Sequence, residues 1–302
     1  MSAHDEVCHE LQSRGLSRLV PYLPRLLHPS IRILATAAVF TSWEDHLQHA
    51  DPTPIGISKI GGWPDIWPGF QWPQLSDLAL PFLAQFRMED IAPYDEEKLL
   101  PTQGMMLVFF DAMAHFQDEK AMQVLYFDGD LATLSRADIP DNATRWDMDI
   151  GGEVVYEAPQ LLRFCRDWQL ADDDNIEYQS IDQSLVAIGE PLLSESENEG
   201  YWRFSLDWNK KRCDAIYKRE LKRSLRGQEQ PNHQLLGVPY AGNFDGRLEI
   251  SDESFASEWR LLFQFSSDDG LDWGNCCCCS FFIESDALAR RDFSNIQVTC
   301  DG

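Results

Sequence analysis

The sequence predicts an α+β protein that is internally duplicated, with two pseudo-symmetric halves of short strands and few helices sharing one core. Three observations lead there. First, one pattern occurs twice in the same order: Gly62-Trp63-Pro64, Phe82-Leu83-Ala84-Gln85-Phe86, Gly104, Phe109-Phe110 and Gln123-Val124 recur as Gly237-Val238-Pro239, Leu261-Leu262-Phe263-Gln264-Phe265, Gly274, Phe281-Phe282 and Gln297-Val298. The offsets are 175, 179, 170, 172 and 174 residues, too long a period for a solenoid and suited to a duplicated half-domain. Second, the apolar runs inside the pattern have the length of buried strands. Third, 44% of the 302 residues are hydrophobic, with Phe 17, Trp 10 and Tyr 8, which is ample for one sizeable core.

The elements follow in order. Residues 5–27 carry an apolar stripe of Leu16, Leu19, Val20, Leu23, Leu26 and Leu27, broken by Pro21 and Pro24, so two short helices or one kinked helix are expected. Ile31 to Ala38 reads as the first strand. From Ile55 to Pro73, dense Gly and Pro indicate a structured loop. Phe82–Phe86, Met105–Phe110 and Val124–Phe127 are expected strands. The stretch from Asp130 to Gly200 holds 17 acidic and 4 basic residues. Its aromatics indicate that most of it folds, with Asp172-Asp173-Asp174 and the run Ser194–Glu199 as exposed, solvated loops. Trp208 to Gly227 is basic and should be a helix with Cys213, Ile216, Tyr217, Leu221 and Leu225 facing inward. Phe281–Ile283, a short helix from Ser285, and Ile296–Cys300 close the chain. A single domain of residues 1–302 results, with a helical segment (1–29), a first half (30–130), an acidic insert and basic helix (131–231) and a second half (232–302).

The run Ser58-Lys59-Ile60-Gly61-Gly62-Trp63-Pro64, then Phe82-Leu83-Ala84-Gln85, Leu99-Leu100-Pro101, Gly104 and Phe109-Phe110-Asp111, resembles the YwqG-like bacterial proteins of unknown function. So do His233-Gln234-Leu235-Leu236-Gly237 with Pro239, Trp259 with Gln264, Ser267-Asp268, Trp273-Gly274 and Phe281-Phe282-Ile283 with Arg291-Asp292-Phe293. The resemblance covers roughly 28–128 and 232–302. It implies a duplicated α+β fold in a bacterial cytoplasm and no established activity. The chain departs from the family pattern at Tyr240, after Pro239, and at the four cysteines after Asn275.

Charge narrows the partners. Fifty acidic against 25 basic residues leave a net charge of −25, which argues against nucleic acid, whose phosphates need clustered Lys and Arg. It suits capture of a basic protein partner. Met1 to Glu10 lacks the basic start and apolar stretch of a secretory signal, and no run is long enough to span a membrane, so a cytoplasmic protein without membrane contact is expected. The residues leave the oligomeric state open.

Candidate sites are few. Cys276–Cys279 would point alternately to the two faces of a strand, two per face, and so cannot close one tetrahedral zinc site; reduced, buried thiols are expected. Asp268-Asp269-Gly270-Leu271-Asp272 fits a polar turn better than a cation loop. Trp63, Trp67 and Trp72, each followed by Pro, either pack over the core or grip a ligand. Gln85 and Gln264 lie mid-strand and need buried partners. A cleft between the halves would gather Lys59, Trp63, Trp67, Gln85, Asp111, His233, Gln264, Asp268 and Trp273. No Gly-x-Ser-x-Gly, Walker, Gly-x-Gly-x-x-Gly or His-Glu-x-x-His motif occurs, and no catalytic residue, metal or cofactor is assigned. The expected function is therefore a non-catalytic binding protein, of the antidote or regulatory kind, for a basic partner. The alternative is a hydrolase or small-molecule-modifying enzyme using Lys59, Asp111, His233 and Asp268 between the halves.

Overall fold

The computed structural model describes residues 2–37, 51–115, 119–138, 140, 142, 159–222, 233–240, 244–267, 273 and 278–301. Ten strands form one antiparallel sheet: β1 Leu27–Ala37, β2 Lys59–Ile60, β3 Phe82–Arg87, β4 Met105–Phe110, β5 Met122–Phe127, β6 Gln160–Leu170, β7 Gln234–Leu235, β8 Trp259–Ser266, β9 Cys278–Glu284 and β10 Ile296–Asp301. Their order across the sheet is β10-β9-β8-β7-β1-β6-β2-β3-β4-β5. The edge strands β5 and β10 come close, and Tyr126 meets Phe293 edge-on at 5.7 Å, so the sheet curls until it is nearly closed. Mixed α+β is the observed class.

The curl follows from the inward face. Ile31, Ile33, Phe86, Phe110, Phe164, Phe263, Phe265 and Phe281 belong to one buried cluster although they come from both ends of the sheet. Phe86 lies 5.7 Å from Phe263, and Phe110 lies 5.1 Å from Phe281. A flat sheet would leave these rings in water, and each large buried side chain contributes about 1.5–3 kcal/mol. The outer face is covered in pieces. Trp67, Phe70 and Trp72 of the Gly- and Pro-rich loop lie over Phe109 and Phe127, with Trp67 stacked 4.9 Å from Phe127, so this loop packs.

The sheet centre is an eleven-residue antiparallel pair, β1 with β6, running from Leu27↔Leu170 to Ala37↔Gln160. The sequence reading missed β6 as a strand, because Arg163, Arg166 and Asp167 interrupt its apolar run. Arg163 and Asp167 sit on the face opposite Leu162 and Phe164, which enter the core; Arg166 shares the Leu162 and Phe164 face at its edge and donates to the Pro93 carbonyl at 2.7 Å.

Three helices frame the outer face: α1 Ala3–Ser13, α2 Ile176–Val186 and α3 Glu195–Leu221. The N-terminal region breaks after α1 into a 3-10 turn at Ser17–Tyr22, containing Pro21, and a short helix at Leu23–Leu26, in line with the two prolines. In α3, Cys213, Ile216 and Tyr217 are buried as the sequence indicates. The helix begins earlier than expected, inside the acidic run. Ser194 and Glu197 form a capping box, with Ser194 N–H donating to Glu197 Oε2 at 2.8 Å, so carboxylates read as loop instead serve a helix N-terminus.

The two ends of the sheet share local registers. Lys59 pairs with Gln85, and Gln234 with Gln264. Bulges fall at Leu83, opposite Val108 and Phe109, and at Leu262, opposite Phe281 and Phe282. In these ladders Phe109 corresponds to Phe282, one position away from the match suggested by the Phe-Phe doublets. Side-chain faces explain the shift: Phe109 and Phe282 both face outward, whereas Phe281 enters the core.

One expectation is overturned within the strands. Cys279 is not a free thiol: it is disulfide-bonded to Cys300, directly opposite on β10 with Cα atoms 4.2 Å apart. Alternation within the cysteine run excluded a zinc site but did not consider the neighbouring strand. Cys278 is buried, and Cys276 and Cys277 lie outside the described residues.

Candidate functional site

Lys59, Gln85 and Trp63 do come together, around two buried carboxylates. Lys59 Nζ donates to Asp51 Oδ2 at 2.6 Å and to Thr53 Oγ1 at 3.2 Å. Trp63 N–H donates to the same Asp51 oxygen at 2.9 Å. Arg136 bridges Asp51 and Asp65, at 2.9 and 2.6 Å. Gln85 accepts from Asp65 N–H at 2.9 Å and donates to Asp65 Oδ2 and the Ile57 carbonyl, both at 2.6 Å. Burial pulls the Lys59 ammonium below its ordinary value, against the opposing pull of Asp65 and Asp51. Every charge here is matched and bonded, as a structural ion network must be in a low-dielectric interior.

The other end of the sheet holds a neutral counterpart. Gln234, in register with Gln264, exchanges hydrogen bonds with Gln169 and donates to the Val238 carbonyl at 2.8 Å. Gln264 Oε1 accepts from Tyr240 N–H at 2.9 Å and Ser280 Oγ at 3.1 Å. Gly62 and Gly237 precede the two Pro-containing turns at φ +70 and +78, where a Cβ would meet Asp51 and Pro159 in one case and Gln169 and Ser30 in the other. His233 is buried, and its Nδ1 accepts from Ser266 N–H at 3.0 Å. Trp273 Nε1 donates to the Phe265 carbonyl at 2.9 Å within the core. Asp111 caps the short helix Ala112–His115 through Ala114 N–H at 2.9 Å. Trp67 belongs to the packed outer loop. Asp268 lies outside the described residues.

An open pocket of about 380 Å³ lies elsewhere, between the C-terminal end of β6, α3 and the Val238-Pro239-Tyr240 turn. At its base is Arg32, 1% exposed in the middle of β1. Ile31 and Ile33 face the core, so alternation sends Arg32 to the face under α3. Its Nε and Nη2 both donate to Asp167 Oδ2, at 3.1 and 2.7 Å. The second Asp167 oxygen takes Arg212 Nε from α3 at 3.1 Å and Trp168 N–H at 2.8 Å. Arg32 Nη1 is buried without a hydrogen-bond partner. Burial works against the Arg32 charge, but the Asp167 carboxylate bonded to it outweighs that and holds it protonated.

Two asparagines brace the pocket walls against the backbone. Asn209 binds the Leu170 backbone N–H and carbonyl, both at 2.9 Å, and Asn175 donates to the Pro239 carbonyl at 3.1 Å. Asp172 is 5% exposed, which corrects its reading as part of a solvated loop. It accepts from Asp174 N–H at 3.1 Å, and Asn198 donates to Asp173 at 3.0 Å, so the triplet organises the approach to α2. Burial, with Asp174 nearby, pushes the Asp172 carboxyl up to about 7. The sequence carried a signal for this site that went unread: an arginine flanked by isoleucines in a strand has to find a buried partner.

The α2–α3 corner has a different character. Val186 is 52% and Ile188 71% exposed, and Glu190, Glu195 and Glu199 nearby in the chain are exposed too. Among the described residues no helix is long and apolar enough to cross a membrane.

A family model described as a domain of unknown function (DUF1963) matches residues 58–302. No curated protein matches the chain.

Proposed function

Because the chain belongs to the DUF1963 family, whose function is unknown, we propose from its own residues that it is a non-catalytic binding protein for a basic protein partner. The observation that carries this reading is the α2–α3 connection, where exposed Val186 and Ile188 are followed along the chain by exposed Glu190, Glu195 and Glu199, on a chain of net charge −25. An apolar contact with an acidic surround suits a partner whose own contact is apolar and ringed by Lys or Arg. Against the enzyme alternative, Lys59, Asp111 and His233 are each committed to local structural bonds.

The finer points belong to the same proposal. Internal duplication is supported by the shared Gln85/Gln264 registers, the paired bulges and the paired glycine turns. The YwqG-like resemblance, the bacterial source and the cytoplasmic setting are part of it as well. The Cys279–Cys300 disulfide weighs against the last, since such bonds persist mainly in oxidising compartments.

The test is capture from a host lysate on the immobilised chain, followed by binding kinetics of any retained basic protein at two salt concentrations. Replacing Glu190, Glu195 and Glu199 by Gln should lower the association rate severalfold and leave dissociation nearly unchanged. Ile188→Asp should raise the dissociation rate. A partner indifferent to salt and to both changes would remove this reading.

A further inference from the structure

We propose that the pocket under α3 binds a small molecule bearing a carboxylate or phosphate group, anchored by Arg32. This stands apart from protein capture, since it uses a different surface and different residues.

Charge pairing of Arg32 at the pocket base is incomplete. It shares the single carboxylate of Asp167 with Arg212, whose other side meets Glu6 at 3.9 Å outside the pocket. Lys210 on the pocket wall adds a cation, and Asp172 on the same wall an acidic group.

Hydrogen bonding is incomplete as well. Asp167 Oδ2 occupies Nε and Nη2 of Arg32 and leaves Nη1 with no acceptor. That nitrogen has essentially no exposure, so bulk water does not stand in for the acceptor. A buried donor left unmade costs free energy, and more when it is charged. The guanidinium edge suits an oxyanion, which supplies both the acceptor and the missing charge.

Space is available beside it. The pocket volume of about 380 Å³ falls in the range of small-ligand sites. Its amide walls are tied down by backbone bonds through Asn175 and Asn209, so little ordering is required on binding. Arg32 lines the pocket while its Nη1 is covered, so a ligand oxygen meets Nη1 only when the covering side chains move aside. Asp172 lies on the wall of the same pocket and disfavours a second negative charge when ionised, so the uncharged or cationic end of the ligand belongs on its side.

The experiment titrates the full chain with inorganic phosphate and, separately, with acetate, at constant ionic strength set with chloride. Calorimetry reads affinity, and side-chain amide NMR signals of Asn175, Asn209 and Gln169 report location. Saturable one-to-one binding by either anion with shifts at those amides is expected, and which anion binds tells phosphate from carboxylate. Lys210→Gln, on an exposed residue, should weaken binding severalfold. Leu206→Trp, which fills the pocket from α3, should abolish it, as should Arg32→Met if that variant folds. No saturation with either anion would overturn the proposal. So would binding left undiminished in both Lys210→Gln and Leu206→Trp.

Discussion

Lys59 has no exposed surface, and its ammonium is held by Asp51 and Thr53. Its role is to neutralise one side of a network whose other cation is Arg136. Lys59→Met would leave Asp51 and Asp65, both buried, to a single guanidinium. Removing one partner of a buried pair is costly, and we expect a loss of about 3–5 kcal/mol, read from urea unfolding. A catalytic lysine would instead tolerate the change with stability intact. Asp172 makes the opposite case. Its folded carboxyl keeps its proton up to about pH 7, against an ordinary value of 3.8. As pH rises through that interval the unfolded chain releases a proton that the folded chain retains, so folding is progressively disfavoured and the full penalty applies above it. Asp172→Asn should therefore stabilise at pH 8 by on the order of 1 kcal/mol and have little effect at pH 4. Thermal melts at the two pH values check this, and a destabilised variant at pH 8 would contradict it.

At the scale of elements, β10 is an edge strand secured on one side by its ladder with β9 and by the Cys279–Cys300 bond. The sequence separation is 21 residues, and closing a loop of that size stabilises by about 3 kcal/mol through the unfolded chain. The double change Cys279→Ala with Cys300→Ala should lower the unfolding midpoint accordingly, and non-reducing peptide mapping should recover the linked pair from wild type. At the corresponding place on the other end of the sheet, Met106 faces Tyr126, so the ladder and side-chain packing hold that pair without a covalent link. Helix α3 depends on its capping box: Ser194→Ala removes the acceptor for a helix N–H and should cost about 1 kcal/mol by urea titration.

For the molecule as a whole, the core is filled from both ends of the sheet, and the central β1–β6 pair is contributed by segments that flank the first repeat. A fragment of residues 1–135 retains Phe86 and Phe110 but loses β6, Phe263 and Phe281, the surfaces against which they pack. It should show no cooperative thermal transition by circular dichroism. A sharp transition in that fragment would refute the single shared core.

The amino-acid sequence by itself determined the α+β class, the short apolar strands around Phe82, Met105, Val124 and Phe281, the broken N-terminal helix and the inward face of α3. Each is a local pattern, in which periodicity and turn residues act within a few positions of one another. It also determined that Gln85 and Gln264 need buried partners, because an amide among apolar neighbours cannot go unbonded. Tertiary structure alone decided which partners those are, that Arg163-Phe164-Cys165-Arg166-Asp167 is a central strand, and that Cys300 stands opposite Cys279. It decided the pocket as well: Arg32 and Asp167 are 135 residues apart and Arg212 lies on another element, so no spacing reveals that two cations share one carboxylate. Contacts of that kind depend on register and on the curl of the sheet, which is set by every strand together and by none of them locally.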